Sequence, residues 1–172
     1  MAKKGWVLIL GFFLMLSLSE NAFCYRLTTE TSTLDGLKSI FVRISPVSPE
    51  LEEKGLVGKD LKRNIEDQLK GAKITVLIEN EFERLRRSDR YPLAVLDLAF
   101  VVFEVDSRII YFVNLRVLQL VQVTRKGVIK LFAPTWEKRE MGAINNLKEI
   151  ENIISGVVDL FIDDFYSSNP SK

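Results

Sequence analysis

The chain has 172 residues, of which 47% are hydrophobic, 24 are basic and 23 are acidic. This length allows one ordinary domain with a hydrophobic core of its own. The formal net charge of +1 excludes a global electrostatic field that would attract nucleic acid or an anionic membrane.

The first 24 residues have the pattern of a secretory signal peptide. Lys3 and Lys4 precede an unbroken apolar run, GWVLILGFFLMLSLS, and ENAFC follows that run. A short basic start, an apolar run of this length and small residues after it are typical of such signals. The run is shorter than the ~20 residues that a membrane-spanning helix needs. An uncleaved membrane anchor is the alternative interpretation.

Two cleavage sites fit this signal. A cut before Tyr25 has the small residues Ala22 and Cys24 at the positions that the signal peptidase recognises, and a cut before Glu20 would use two serines. In a lipoprotein Cys24 would carry the lipid, but Phe23 stands where such proteins have a small residue. We therefore predict export to the periplasm, with a membrane-anchored lipoprotein as the alternative.

Removal of the signal before Tyr25 leaves a neutral chain without cysteine and without histidine. Such a chain has no disulfide framework, no thiolate nucleophile and no imidazole for zinc binding or for base catalysis near pH 7. Only carboxylates are left for acid–base work. We expect Asp97 to be held ionised by Arg116, which makes it a poor general acid. The exposed side of a helix is predicted to carry three further carboxylates, Asp159, Asp163 and Asp164.

These absences predict a protein that is not an enzyme, with no catalytic residue, no cofactor and no metal site. The polar segment over residues 25–36 is rich in threonine and serine and predicts a flexible lead-in. A single domain is predicted over residues 37–166, followed by a tail over residues 167–172.

The first elements of this domain follow from local pattern. The stretch LKSIFVRI (37–44) predicts a strand, and KDLKRNIEDQLKGA (59–72) predicts a helix with leucine and isoleucine four residues apart. A second strand is predicted at KITVLI (73–78). The charged segment ENEFERLRRSDRYP (79–92) predicts a solvated loop, and an anion site built from its arginines is the alternative.

The stretch LAVLDLAFVVFEVDSRIIYFVNLRVLQL predicts two antiparallel strands joined by a tight turn at Asp106 and Ser107. In this register Asp97 lies opposite Arg116 on one face, so charge pairing and burial of apolar residues select the same alignment. The other face is apolar or aromatic throughout, with Leu96, Leu98, Phe100, Val102, Tyr111, Val113, Leu115 and Val117.

The face that carries Asp97 becomes apolar towards the turn. We call its five residues there the hairpin surface: Val101, Phe103, Val105, Ile110 and Phe112. Such a surface must be covered by the protein's own chain, by a partner or by a lipid-like ligand. The loop over residues 45–58 is the candidate cover within the chain.

The stretch VTRKGVIKLF predicts a second hairpin with a three-residue turn that ends at Gly127. Its first strand is therefore shared by two hairpins, and Gln119 falls next to Pro134 of the last strand. We expect Gln119 to satisfy backbone groups left unpaired around the proline, with ligand binding as the alternative. Trp136 is predicted to be a packing residue.

The end of the chain predicts a long amphipathic helix that lies across the sheet. Its apolar residues recur at helical spacing from Leu147 to Phe165. The complete order, β-α-β-β-β-β-α, predicts an α+β fold of two layers. A mixed, mostly antiparallel sheet of about five strands would carry both helices on one face.

The signal peptide, the stretches LKSIFVRISP and KDLKRNIEDQLKGAKITVL, and a hairpin with a long second strand together resemble small exported bacterial envelope domains. The TolB amino-terminal domain and the lipopolysaccharide-assembly lipoprotein family share this plan, over about residues 37–125. The ending VVDLFIDDFYSSNP is similar to that of uncharacterised exported bacterial proteins. The resemblance is one of plan, and no site residue carries over from it.

The signal pattern, the lack of histidine and cysteine, and the apolar hairpin surface predict an exported, non-catalytic accessory or interaction domain, and the resemblance places it in the cell envelope. Its partner would be an envelope protein or a lipid-assembly component, bound at a sheet edge or at the hairpin surface. Peripheral contact with a membrane is compatible with this prediction, nucleic acid is not a predicted partner, and the oligomeric state is open. The alternative is a carrier of small apolar or lipid-like molecules, in a pocket between helix and sheet lined by Phe100, Phe161 and Phe165.

Overall fold

A computed structural model describes residues 30–87, 93–123 and 129–170. Four strands form one sheet in the order β1-β2-β3-β4, with β1 parallel to β2 and the other neighbours antiparallel. The α+β class and the mixed, mostly antiparallel sheet are as predicted, although the described sheet has four strands where about five were expected. The strands are β1 (Ser39–Ile44), β2 (Leu93–Val105), β3 (Arg108–Val123) and β4 (Ile129–Ile144).

Four α-helices accompany the sheet in the described part of the chain: α1 (Pro49–Glu53), α2 (Gly58–Gly71), α3 (Glu79–Arg86) and α4 (Glu149–Ser168). The helices α2 and α4 pack on one face of the sheet, which we call the core face. Their buried residues follow the predicted apolar stripes, including Leu61, Ile65 and Leu69 on α2 and Ile154 and Phe161 on α4.

The segment 73–78 is not the predicted second strand. It makes a single parallel bridge, between Val76 and Ile40 of β1, supported by two backbone hydrogen bonds. Lys73 has a positive φ of 59°, and α3 already begins at Glu79. The left-handed turn at Lys73 and the start of α3 therefore leave a short extended segment, which pairs with β1 at Val76 alone.

The predicted solvated loop over residues 79–92 is wrong for its first eight residues, which form α3. This helix packs on the outer face of the sheet, opposite α2 and α4. Phe82 is the buried apolar residue in its charged sequence, and its ring stacks on that of Phe41 at a centroid distance of 4.4 Å. The two predicted helices, α2 and α4, therefore share one face as expected, and α3, which was not predicted, lies on the other. Residues 88–92 lie outside the described residues.

The β2–β3 hairpin has the predicted register, including Asp97 opposite Arg116. Asp106 and Ser107 have φ values of 47° and 64°, as a two-residue type I′ turn requires. The β3–β4 pairing is also as predicted at Gln119, opposite Ala133. Beyond it the register shifts between Val117 and Leu118, and the strand continues to Ile144. The turn that we predicted at residues 125–127 lies outside the described residues.

Both chain ends of the described region differ from the predicted lead-in and tail. Residues Glu30–Leu34 form a 3₁₀ helix, and the side chain of Leu34 is completely buried. At the other end α4 runs to Ser168, and Asn169 donates a side-chain hydrogen bond of 2.9 Å to the Leu34 carbonyl. The described part of the lead-in is therefore packed against the end of α4. The predicted signal peptide, residues 1–24, lies outside the described residues.

Substitution by alanine is expected to change the stability in opposite directions at Gly142 and Gly156. A Cβ on Gly142 would lie 2.7 Å from the Tyr111 hydroxyl, and Tyr111 is buried and donates a hydrogen bond to Glu140. We expect Gly142→Ala to lower the free energy of unfolding by about 1–3 kcal/mol through overpacking. Gly156 lies exposed within α4 with open space at its Cβ position. Because alanine favours a helix more than glycine does, Gly156→Ala should raise the free energy of unfolding by up to about 1 kcal/mol.

Urea denaturation of both variants and the wild-type protein measures these changes. A stabilising Gly142→Ala substitution would contradict the close approach of Tyr111 to β4. A destabilising Gly156→Ala substitution would contradict the helix that the structure places there.

Candidate functional site

The hairpin surface is exposed to solvent on the outer face. Val101, Phe103 and Val105 are 56%, 51% and 46% exposed, whereas Ile110 and Phe112 are half-buried between them and β4. Met141 of β4 lies opposite Phe112 and is 75% exposed, so it extends the apolar area onto a third strand. The structure thus brings all five predicted residues together in one contiguous apolar area.

The loop over residues 45–58 does not cover this area. It carries α1, and Leu51 and Lys54 lie beside Val102 and Ile109, which point to the core face. Lys54 also forms an ion pair with Glu104 at 3.6 Å. The loop therefore packs on the opposite side of the sheet and leaves the hairpin surface uncovered by any described residue.

A charged cluster separates the hairpin surface from α3 on the outer face. Asp97 at its centre is only 3% exposed. One carboxylate oxygen accepts a hydrogen bond from Arg43 Nε at 2.5 Å, and the other accepts one from Arg116 Nε at 2.7 Å. The sequence pairing found Arg116 but missed Arg43, because the strand on the other side of β2 could not be assigned from local pattern.

The pKa of Asp97 is lowered in the folded protein. Burial of the carboxylate by itself would raise the pKa, but the hydrogen bonds and the positive charges of Arg43 and Arg116 outweigh it. Asp97 is therefore ionised and holds no proton to donate near neutral pH. Its geometry is that of a structural carboxylate that ties β1, β2 and β3 together.

The charged cluster continues onto β4 through Glu137. Its carboxylate accepts hydrogen bonds from Asn114 Nδ2 at 2.8 Å and from Arg139 Nη2 at 2.6 Å. Burial would raise the pKa of Glu137, but the hydrogen bonds from Arg139 and Asn114 and the charges of Arg139 and Arg116 lower it overall. Each acid of the cluster thus has a cationic partner, and the arrangement resembles a cross-strand network more than a reactive site.

The three aspartates of α4 have different surroundings. Asp163 is exposed, as predicted. Asp159 accepts a hydrogen bond of 2.5 Å from Gln68 Nε2 of α2. Asp164 accepts one of 2.9 Å from the indole N–H of Trp136, so the prediction of an exposed position is wrong for this residue. Its carboxylate satisfies the polar atom of a buried aromatic side chain.

The aromatic residues between α4 and the sheet pack against one another. Phe161 is completely buried, and its ring lies 5.2 Å from that of Trp136 and 6.1 Å from that of Phe165, centroid to centroid. Phe100 packs at the edge of the same core. These side chains fill the space that the carrier alternative assigned to a ligand, and Trp136 is the packing residue that the sequence predicted.

Gln119 has a structural role, as predicted, but the backbone group that it satisfies lies in the 3₁₀ helix and not around Pro134. Its Nε2 donates a hydrogen bond of 3.1 Å to the carbonyl of Thr33 in the 3₁₀ helix. Its Oε1 accepts one of 2.8 Å from Thr135 Oγ1, at the β4 irregularity next to Pro134. The amide therefore joins the 3₁₀ helix to the sheet, at the point on β3 where the first hairpin ends and the second begins.

Two further properties of the described residues bear on function. They contain no group of three or more cysteine, aspartate and glutamate side chains arranged to hold a metal ion. None of their helices combines the length and the apolar character that crossing a membrane requires. The chain matches no protein-family model and no curated protein sequence.

Proposed function

We propose that the chain is an exported, non-catalytic accessory domain of the bacterial cell envelope that binds another envelope protein through the hairpin surface. The observation that carries this proposal is the contiguous apolar area on β2, β3 and β4, where Phe103 is half exposed and Met141 three-quarters exposed. Single exposed apolar residues are ordinary, but a contiguous area of this kind is typical of interaction sites.

The surroundings of the area support a protein partner. Phe103 and Phe112 supply aromatic rings of the kind that serve as anchors at the centre of interfaces. Arg139 lies diagonally beside Phe112 on the same face, with Arg116 farther along β3, and arginine is enriched at such sites. An apolar centre with a charged border is the usual arrangement of a protein interface.

Export and the lack of catalysis are parts of the proposal that rest on the sequence. The amino-terminal signal pattern supports export, and the lack of histidine supports a binding role over acid–base chemistry. The resemblance in plan to the TolB amino-terminal domain and to lipopolysaccharide-assembly lipoproteins supports placement in the envelope. Under this proposal the mature chain contributes a surface to an assembly.

Site-specific photo-cross-linking in intact cells tests this function. A benzophenone amino acid at position 103 is expected to give adducts between the chain and a distinct envelope protein. The same amino acid at position 160 is the matched control, because Leu160 is a 50% exposed apolar residue of α4. The adduct should disappear when Phe112→Asp is added, since a charge in the centre of the area would have to be desolvated.

Two results would count against the function. Recovery of only the monomer from position 103 would mean that the hairpin surface has no partner in the envelope. Equal adducts from positions 103 and 160 would mean that the labelling reports general crowding and not a site.

A further inference from the structure

The edge of β2 is open over its last seven residues. β1 pairs with β2 from Ser39 to Ile44, opposite Leu93 to Leu98. The pairing ends with a hydrogen bond of 2.8 Å from Ser45 N to the Leu98 carbonyl. Beyond that point no strand among the described residues pairs with β2 on this side.

The backbone groups at this edge have a known direction. The Leu98 carbonyl points towards β1, and the backbone groups of successive residues in a strand point to opposite sides. The N–H and C=O groups of Phe100, Val102 and Glu104 therefore point to the open edge, while the residues between them bond to β3. The edge presents three donors and three acceptors at the spacing of a strand.

A cavity of about 350 Å³ lies along the same edge. Its lining includes Val102, Phe103 and Glu104. Because consecutive strand residues point to opposite faces, a cavity that touches all three lies alongside the backbone. Leu51 and Ile109 contribute apolar surface to it. The cavity is large enough for an aliphatic or aromatic side chain that arrives next to the strand.

The other edge of the sheet has features that oppose strand addition. β4 carries Pro134 and a register irregularity, followed by Lys138 and Arg139. Prolines, irregular pairing and charged side chains are the usual means by which proteins protect an edge strand. Residues 99–105 of β2 have the sequence AFVVFEV, with no proline and no basic residue. The two edges therefore differ in their capacity to accept a strand.

We propose that the partner binds by strand addition: an extended segment of a partner protein pairs with residues 99–105 of β2. The segment carries apolar side chains on both faces. On the core face one of them occupies the cavity beside Val102, and on the outer face the others continue the hairpin surface next to Val101 and Phe103. Main-chain hydrogen bonds supply affinity in this mode of binding, and the cavity supplies specificity. This inference deepens the proposed function and rests on it.

Glu104 offers a matched pair of variants for the test. Its backbone N–H points to the open edge, and its side chain is exposed. Glu104→Pro removes that donor and puts the proline ring in the way of an added strand, whereas an edge position tolerates proline in the folded domain. Glu104→Ala removes the same side chain, including its ion pair with Lys54, but keeps the N–H.

The experiment selects binders from a displayed library of random twelve-residue peptides, with the full chain as the target. We expect the selected peptides to share apolar residues at alternating positions. Their affinity should fall at least about tenfold for Glu104→Pro, because a hydrogen bond is lost and the ring obstructs pairing. Their affinity should fall much less for Glu104→Ala, which keeps the N–H, than for Glu104→Pro. In the wild-type protein the peptides should slow amide hydrogen exchange at Phe100, Val102 and Glu104.

The exchange measurement keeps the test decisive even if Glu104→Pro does not fold. Failure to select a peptide, equal affinity for the two Glu104 variants, or protection confined to other amides would each overturn strand addition. Photo-cross-links from position 103 that persist in Glu104→Pro cells would preserve the proposed function while rejecting strand addition. Binding only to vesicles of phosphatidylglycerol and phosphatidylethanolamine, with no peptide selected, would identify a lipid surface as the occupant and reject a protein segment.

Discussion

Replacing Phe161 by alanine is expected to lower the free energy of unfolding by about 3–5 kcal/mol. Phe161 is completely buried between α4 and the sheet, in contact with Trp136 and Phe165. Truncation to alanine removes a full aromatic ring from water-free surroundings and leaves a cavity that packed neighbours cannot close. Because Trp136 is tied to Asp164 by its indole N–H, its ring is not free to move into the space.

Urea denaturation followed by tryptophan fluorescence measures the effect of Phe161→Ala. The neighbouring residue of α4 supplies the control, since Leu160 is half exposed and Leu160→Ala should cost less than about 1 kcal/mol. A similar small loss for Phe161→Ala would mean that the space between α4 and the sheet is not filled. That result would favour the alternative of a ligand carrier.

Replacing Asp97 by asparagine is expected to lower the free energy of unfolding by about 1–3 kcal/mol at pH 7. The carboxylate is buried, whereas the side chains of Arg43 and Arg116 are 52% and 35% exposed. Water can therefore replace part of the hydrogen bonding that the two guanidinium groups lose. The loss of stability should for this reason be smaller than for a completely buried ion pair. The asparagine amide also turns a donor towards one of the arginines.

The effect of Asp97→Asn should depend on pH in a defined direction. The pKa of Asp97 is lower in the folded protein than its ordinary value of about 3.9 in the unfolded chain. Its contribution to stability is therefore fully present above the unfolded pKa and is lost as the pH falls through the folded pKa. Asparagine does not titrate, so the difference between wild type and variant should shrink as the pH drops below about 4.

Thermal unfolding of both proteins over a series of pH values checks this direction. Glu137 also has a lowered pKa, but it is present in both proteins and largely cancels from their difference. Asp163 provides a matched control, because its side chain is exposed and Asp163→Asn should change stability little. A difference between wild type and Asp97→Asn that stays constant down to pH 2 would contradict a lowered pKa for Asp97.

The sequence predicted which residues form the hairpin surface, but it did not predict whether these residues are exposed to solvent. Alternation along β2 and β3 and the turn at Asp106 and Ser107 define which apolar residues share the outer face near the hairpin end. Whether the loop over residues 45–58 covers them depends on where α1 packs, about fifty residues away in the chain. The structure places Leu51 on the core face, beside Val102 and Ile109.

The sequence by itself determined the elements whose signals are local. The β2–β3 register follows from alternation, the Asp97–Arg116 pair and a short turn, all within about thirty residues. The helices α2 and α4 follow from apolar residues at helical spacing. A structural role for Gln119 and a packing role for Trp136 were also predicted, although the contact between Gln119 and Thr33 was not.

Only the tertiary structure decided the contacts between distant segments. Arg43 meets Asp97 because β1 lies parallel to β2, and the two residues are 54 positions apart. Phe82 stacks on Phe41 and so anchors the charged helix α3 to the sheet. The last residue of β1 is Ile44, and the rest of the β2 edge is therefore open. Propensity and alternation act over a few residues, whereas these outcomes depend on which surfaces pack together once the chain has folded.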